Sequence, residues 1–406
     1  MTIYILFAKR RFDFFSISGL GVFIYFLPGL FGYVAIPRYG YPGRLSVEII
    51  PETYVVMSIV TTSVFLGAFI SDCFYKPSNG KNQRDNSQLT LSSNILLSLV
   101  LFTSLCFVMV VILAGDLILA GYHKSEILSK TPYVYGFLQI GGVLMILTSN
   151  PRKNPILFSY GLLIGALDLI IGHREVLAIS LVGFLLKMFA SDVRVRLYSK
   201  LAYAFVLLPF GVAVLVIKTI SLDIDKGKTS ADVLYSLFDY EIYWRALIES
   251  EPFGTQGILN KVLESNFTVG MDHLYSTPLG LMVFAGALGA DDAKFNSLVQ
   301  PVLFPGLSFG LAGNTWAELW SSGGWLVLVL GVIIWAILLS AMSSLLTSRH
   351  HFARVYAWFT CFYIAVLIHR TDLAYQFHVQ KYALLFSLIV FSSSSILGLF
   401  GKMRKV

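Results

Sequence analysis

Apolar residues run through this chain in blocks of about twenty, divided by short polar stretches, along most of its length. A helix needs about twenty such residues to cross about 30 Å of hydrocarbon at about 1.5 Å per residue. Ten blocks meet or approach that length: Phe14–Val34, Tyr54–Phe74, Ile95–Leu113, Tyr133–Leu147, Ile156–Ile171, Val176–Ala190, Leu201–Ile220, Trp325–Leu346, Val355–Ile368 and Tyr382–Phe400. Lipid cannot bond to open backbone groups, so each block predicts a helix. The pattern therefore predicts an all-α polytopic membrane protein with about ten transmembrane helices.

One connection breaks the rhythm. Ser221 to about Gly324 is a loop of roughly a hundred residues, a length that is rare unless the segment folds or functions. This divides the chain into helices 1–7 (1–220), a loop with short helices (221–324) and helices 8–10 (325–406). Within the loop, Asp239–Glu251 reads as a helix with Tyr240, Trp244 and Leu247 on one face. Leu279–Ala290 is apolar but short, which suits a re-entrant or interfacial segment. Pro301, Pro305 and several glycines then predict irregular backbone. Such backbone near a membrane needs protein or a water-filled cavity around it, so the loop is expected to cap a cavity.

Composition narrows the class. The 406 residues are 56% hydrophobic and 13% charged, against about 25% charged in soluble domains. A large soluble enzyme is excluded, and with 15% aromatic residues so is a disordered chain. With the N-terminus inside, 17 of the 30 Lys and Arg residues fall on short inner loops, among them Lys9-Arg10-Arg11, Arg152-Lys153, Arg349 and Arg404-Lys405. That bias orients the chain with both termini cytoplasmic. The net charge of +7 then reflects topology, and no nucleic-acid partner is expected. Lys9-Arg10-Arg11 before a long apolar run suits an uncleaved signal anchor. The polar stretch Lys76–Ser93 reads as a cytoplasmic loop. Cys73, Cys106 and Cys361 lie in apolar runs and read as small buried hydrophobes.

Ionisable residues at membrane depth are costly and are candidates for function. Four places stand out. Gly172-His173-Arg174-Glu175 joins two short helices and is expected to lie recessed. There the Arg174 fork suits phosphate oxygens, or anchors at the interface, with Glu175 as its ion-pair partner. His369-Arg370-Thr371-Asp372 repeats the arrangement at the end of the ninth helix, with His378 in the same loop. Two arginines from separate turns can grip a diphosphate. In the long loop, Glu241, Arg245 and Glu249 are spaced as a salt-bridge ladder, and Arg245 suits substrate binding equally; Asp239 and His273 are weaker candidates. Last, Gly313–Trp320 leads into the eighth helix. Glu318 is either a general base for a sugar hydroxyl or a carboxylate favoured by the helix dipole. Trp316, Trp320 and Trp325 suit sugar stacking or an interfacial belt.

Several signatures are missing. Neither a Walker A loop nor an HExxH zinc motif is present. No metal or other cofactor is expected.

Taken together these residues resemble bacterial O-antigen polymerases of the Wzy type, a group that extends to the O-antigen ligases. The likeness rests on the helix count, the late outer loop and three short motifs. Gly172–Leu177 is similar to a G-x-R-x-x-L-like turn, and Gly313–Gly324 to an N-x-x-A-E-x-x-x-x-x-G pattern. His369–Asp372 is similar to an R-G-D-like turn, with Thr371 in place of glycine. The resemblance implies a GT-C-like, metal-independent glycosyltransferase of the bacterial inner membrane, with its site facing the periplasm under the loop between helices 7 and 8. Such an enzyme moves a growing glycan from undecaprenyl diphosphate to the non-reducing end of a lipid-linked oligosaccharide repeat unit. It implies Arg174 and Arg370 on the donor diphosphate, Arg245 as a third contact, and Glu318 or His369 as acceptor base. His173, Glu175, His273, Asn314 and Asp372 are further substrate-binding candidates. A chain-length regulator and a flippase are implied partners beside the bilayer. An O-antigen ligase, for which His273 is the available loop histidine, and a polysaccharide flippase or transporter are the competing readings.

Overall fold

The computed structural model describes residues 12–37, 44–74, 92–120, 124–149, 151, 153–171, 173, 175–189, 243–244, 247, 250–278, 294–305, 307, 312–348 and 350–403. The predicted helix Leu201–Ile220, the segment Leu279–Ala290 and most of Lys76–Ser93 lie outside the described residues. So does most of Asp239–Glu251, of which Tyr243, Trp244 and Leu247 are helical.

The described chain runs α1 (Phe14–Tyr25), α2 (Pro28–Phe31), β1 (Tyr33–Pro37), β2 (Arg44–Glu48), α3 (Pro51–Phe74), α4 (Ser93–Ala120), α5 (Lys124–Lys130), α6 (Pro132–Thr148), α7 (Pro155–Ile170) and α8 (Glu175–Phe189). It continues with α9 (Glu251–Glu264), α10 (Met271–Ser276), α11 (Phe295–Leu303), α12 (Thr315–Leu345), α13 (His351–Ala365), a 3₁₀ turn (Leu367–His369) and α14 (Leu373–Met403). Among the described residues, six stretches are long and apolar enough to cross a membrane: Phe14–Phe31, Pro51–Cys73, Ser93–Ile118, Thr315–Leu345, His351–His369 and Leu373–Leu397. Tyr133–Thr148 and Pro155–Ile170 are shorter apolar helices. The chain is a multi-pass membrane protein.

Its long helices are apolar on every side, which suits helices with protein on one face and lipid on the other. In α12, Leu328, Val332, Trp335, Leu339 and Met342 are buried at helical spacing, while Leu326, Ile333, Ile334 and Ile337 face outward. In α4, Leu99, Cys106, Val110 and Ala114 are buried, and Leu101, Leu105 and Ile112 are exposed. Cys361 is buried too, but Cys73 is exposed at the end of α3, against the expectation that all three cysteines pack inside.

Helix α12 starts at Thr315, ten residues before the predicted span. Its axis breaks at Gly323–Gly324, where Gly324 takes φ +66°, a conformation that disfavours any side chain. The predicted start at Trp325 thus falls just past a kink inside one longer element.

The antiparallel hairpin of β1 and β2 is the departure from an all-α fold. Val34 pairs with Val47 and Ile36 with Leu45. Asn260 of α9 holds the hairpin's exit. Its Oδ1 accepts from Ile50 N at 3.0 Å and Thr53 Oγ1 at 2.9 Å, and its Nδ2 donates to Glu48 O at 3.3 Å. A segment of the long loop is thereby tied to the connection between the first two spans.

Candidate functional site

The polar residues gather at the end of the bundle that carries the hairpin. Asn314 caps α12, its Oδ1 accepting from Trp316 N and Ala317 N at 3.0 and 3.1 Å. Its Nδ2 donates to Thr255 O in α9 at 3.1 Å. This is N-capping of exposed helix amides, and it engages both the oxygen and the nitrogen of the amide. Thr315 Oγ1 donates to Thr371 O at 2.7 Å. Next to it Gly313 lies so close to the turn before α14 that a Cβ there would sit 2.4 Å from Asp372 N. The two motifs that the sequence separates by about fifty residues are therefore in direct backbone contact.

Glu318 follows one turn into α12 and is fully buried. Its Oε1 meets His273 Nε2 at 2.9 Å, and its Oε2 accepts from Leu373 N at 2.7 Å. Leu373 opens α14, and Asp372 caps the same helix by accepting from Tyr375 N at 2.9 Å. Two carboxylates thus meet one helix N-terminus, where amides and dipole favour negative charge. Both Glu318 oxygens are engaged and no surface is open to a substrate hydroxyl.

His369 is also sealed. Trp316 Nε1 donates to its Nδ1 at 3.0 Å, which puts the proton of a neutral ring on Nε2. Tyr25, Phe26, Trp316 and Trp335 surround the ring at centroid distances of 5.5 to 5.7 Å. Among the described residues, buried Nε2 has no hydrogen-bond partner. An imidazole in such an aromatic cage sets the seat of the 3₁₀ turn.

Arg370, the next residue, points the other way and is half-exposed. Its Nη1 donates to Glu251 Oε2 at 2.5 Å. Glu251 is the first residue of α9, after the Ser250 N-cap and before Pro252. Burial acts against the guanidinium charge. Glu251 first, then Tyr25, Glu175 and Tyr375, more than offset it, so the pKa is raised above the usual arginine value. Tyr375 OH donates to Glu175 Oε2 at 2.8 Å, joining α14 to the start of α8.

Behind Glu175, Asp168 organises the short arginine turn. Its Oδ1 accepts from Tyr135 OH at 2.6 Å and Gln139 Nε2 at 2.7 Å, and its Oδ2 from Val176 N at 3.1 Å. Its carbonyl accepts from His173 N at 2.8 Å. The His173 ring packs on Tyr135 at 5.3 Å. One carboxylate inside the bundle thus fixes both sides of the turn that bears His173 and Glu175.

The structure therefore brings together Glu175, Arg370 and Asp372, and beside them Glu318, His273, His369 and Asn314. Arg174, Arg245 and Asp239 lie outside the described residues. His378 stacks edge-on against Tyr382 at 4.4 Å within α14. Glu251, Tyr25 and Tyr375 were not singled out from sequence as site residues. Ser250-Glu251-Pro252 carries a helix-start signal, but nothing local pairs Glu251 with a residue 119 positions away. Among the described residues, no three His, Cys, Asp or Glu side chains are grouped to hold a metal ion. A groove of about 1350 Å³ opens sideways between α3 and α12, lined by apolar residues such as Leu66, Ile333 and Ile337 and by hydroxyls such as Ser58 and Ser340. No protein-family model, no curated protein and no solved structure matches the chain.

Proposed function

We propose that this chain is a glycan polymerase of the bacterial inner membrane, with both termini cytoplasmic and its site facing the periplasm. On this reading it transfers a growing glycan from undecaprenyl diphosphate to the non-reducing end of a lipid-linked oligosaccharide repeat unit. The observation that carries the reading is Arg370. It is a permanently charged donor fork, half-open to solvent at the end of a membrane bundle, beside a turn built around Glu175. An arginine in that setting suits the oxygens of a diphosphate. It offers charge where charge builds on the leaving group, the largest single source of catalysis in such transfers. Arg174, next to Glu175 in sequence, supplies the second guanidinium, and Arg245 a third from the loop. The groove between α3 and α12 offers apolar room for an isoprenoid chain. The lipid-facing helices and the absence of a nucleotide motif favour a lipid-linked donor over a soluble one.

The geometry shifts the supporting roles. Glu318, His273, Asn314 and His369 hold the frame on which Arg370 is mounted. The ligase reading leans on His273, which is engaged with Glu318. The test is to incubate the purified protein with its lipid-linked repeat unit, with and without a lipid A core acceptor, beside Arg174→Ala and Arg370→Ala variants. A product ladder made without core, and lost in both variants, is the expected result. Transfer only to core makes the protein a ligase. Fully active arginine variants sink the assignment.

A further inference from the structure

The acceptor hydroxyl needs a carboxylate or imidazole that it can reach. Among the candidate carboxylates and imidazoles described above, most are spoken for. Glu318 is sealed with both oxygens engaged. Asp168 accepts three hydrogen bonds inside the bundle. Asp372 caps α14, Glu175 accepts from Tyr375, and His369 and His273 are buried. Glu251 differs. Its side chain is 39% exposed, and it bonds to Arg370 through Oε2. Arg370 spends one of its five N–H donors on that bond.

We infer that Glu251 is a two-position residue: it occupies Arg370 in the resting enzyme, and it becomes the base for the acceptor hydroxyl once a diphosphate takes Arg370. This rests on the polymerase reading and names the base within it. The donor is a glycan linked through its anomeric carbon to a polyprenyl diphosphate. Its two phosphates outcompete a single carboxylate for the guanidinium, since they bring more charge and more acceptor oxygens. Glu251 stays anchored at the first turn of α9, so it remains beside the anomeric centre. The acceptor hydroxyl oxygen then forms its bond to the anomeric carbon. The bond from that carbon to the phosphate oxygen breaks, and its electron pair leaves with the diphosphate. The hydroxyl proton passes to Glu251, which later releases it to water. Base and electrophile are thereby coupled: the base is free only when the donor is seated, which guards the resting site against wasteful hydrolysis.

The experiment uses the full chain in lipid nanodiscs, with native, Glu251→Gln and Glu251→Asp proteins. Farnesyl diphosphate reports on the Arg370 site, and the lipid-linked repeat unit reports on transfer. Glu251→Gln is expected to bind farnesyl diphosphate several-fold more tightly while transferring about 100-fold or more slowly, the scale of a lost general base. Sodium formate restores part of its rate, and Glu251→Asp falls between the two. Thermal unfolding near that of the native protein, together with retained diphosphate binding, shows that the loss of transfer is chemical. If the native chain polymerises and Glu251→Gln keeps pace within about threefold, the base assignment is wrong and the polymerase reading stands. If the native chain binds farnesyl diphosphate but makes no product from authentic substrates, the polymerase reading fails and the base role goes with it.

Discussion

Two side-chain pairs, Glu318 with His273 and Glu251 with Arg370, lie at the same end of this bundle, and they differ in what surrounds them. In the Glu318–His273 pair the side chains are 0% and 4% exposed. In the Glu251–Arg370 pair they are 39% and 32% exposed. The first draws together α12, the start of α14 and α10 out of the long loop. The second joins α9 to the turn before α14. A buried charge that loses its partner costs several kcal/mol, whereas an exposed pair is worth at most about 1 kcal/mol. Removing the sealed pair should cost structure, and removing the open one should cost function. Both kinds of site look alike in sequence, as a charged residue beside an apolar run.

The sealed pair gives the largest expected effect. Glu318→Ala strands the His273 ring and the Leu373 amide in a dry pocket, and should lower unfolding stability by about 3–5 kcal/mol. The loss would be read as a drop in the thermal unfolding midpoint of the detergent-solubilised protein. The isosteric Glu318→Gln can still accept from Leu373, so it should fold and retain transfer. If it folds normally yet transfers nothing, the sealed pair is chemistry after all and the contrast breaks.

Arg370→Ala is the converse. Transfer should fall by about 10²–10³-fold, the usual loss on removing one preorganised donor from a developing anion. Stability should move by less than about 1 kcal/mol, because the pair it breaks is half-exposed. Arg370→Lys keeps the charge but loses the fork, and should recover only part of the rate. A variant that unfolds in step with its loss of transfer would place Arg370 with the frame instead.

Asp168→Asn tests the reach of the frame. An amide can accept on one atom only, so one or more of Tyr135, Gln139 and Val176 N–H loses its partner. The expected cost is about 1–3 kcal/mol. Because Asp168 fixes the turn holding His173 and Glu175, the amides of α8's first turn should exchange faster with deuterium. Unchanged exchange there would detach the turn from Asp168.

How much of this was legible in the sequence follows from the range over which each signal acts. The apolar blocks show directly, because burial in lipid acts on each helix alone. α3, α4, α12, α13 and α14 all fall on predicted spans, with ends moved by at most ten residues. The hairpin was not foreseen. Its strands are five residues each, the first taking Tyr33 and Val34 from the end of the predicted span Phe14–Val34, and Gly40-Tyr41-Pro42-Gly43 between them was the available turn signal. The three motifs were visible, but their partners were not. Glu318 meets His273 across 45 residues and Arg370 meets Glu251 across 119. Whether a carboxylate is sealed or open depends on those partners. Sequence alone therefore marks Glu318 as a base candidate and passes over Glu251.

The smallest effect sharpens the boundary between the two regions. Asn314 was a substrate-binding candidate by resemblance, yet its side chain is fully buried. It makes two cap bonds and donates one bond to Thr255 O. Asn314→Ser preserves the cap, since serine and asparagine cap almost equally well. It gives up only the bond to Thr255 O, which should cost about 1 kcal/mol. If Asn314 belongs to the frame, transfer should stay within about twofold of the native rate while the unfolding midpoint drops slightly. A fall of about 100-fold in transfer at unchanged stability would mean that the amide reaches substrate. The α12 cap would then have to open during turnover, and the line between frame and site would run through Asn314.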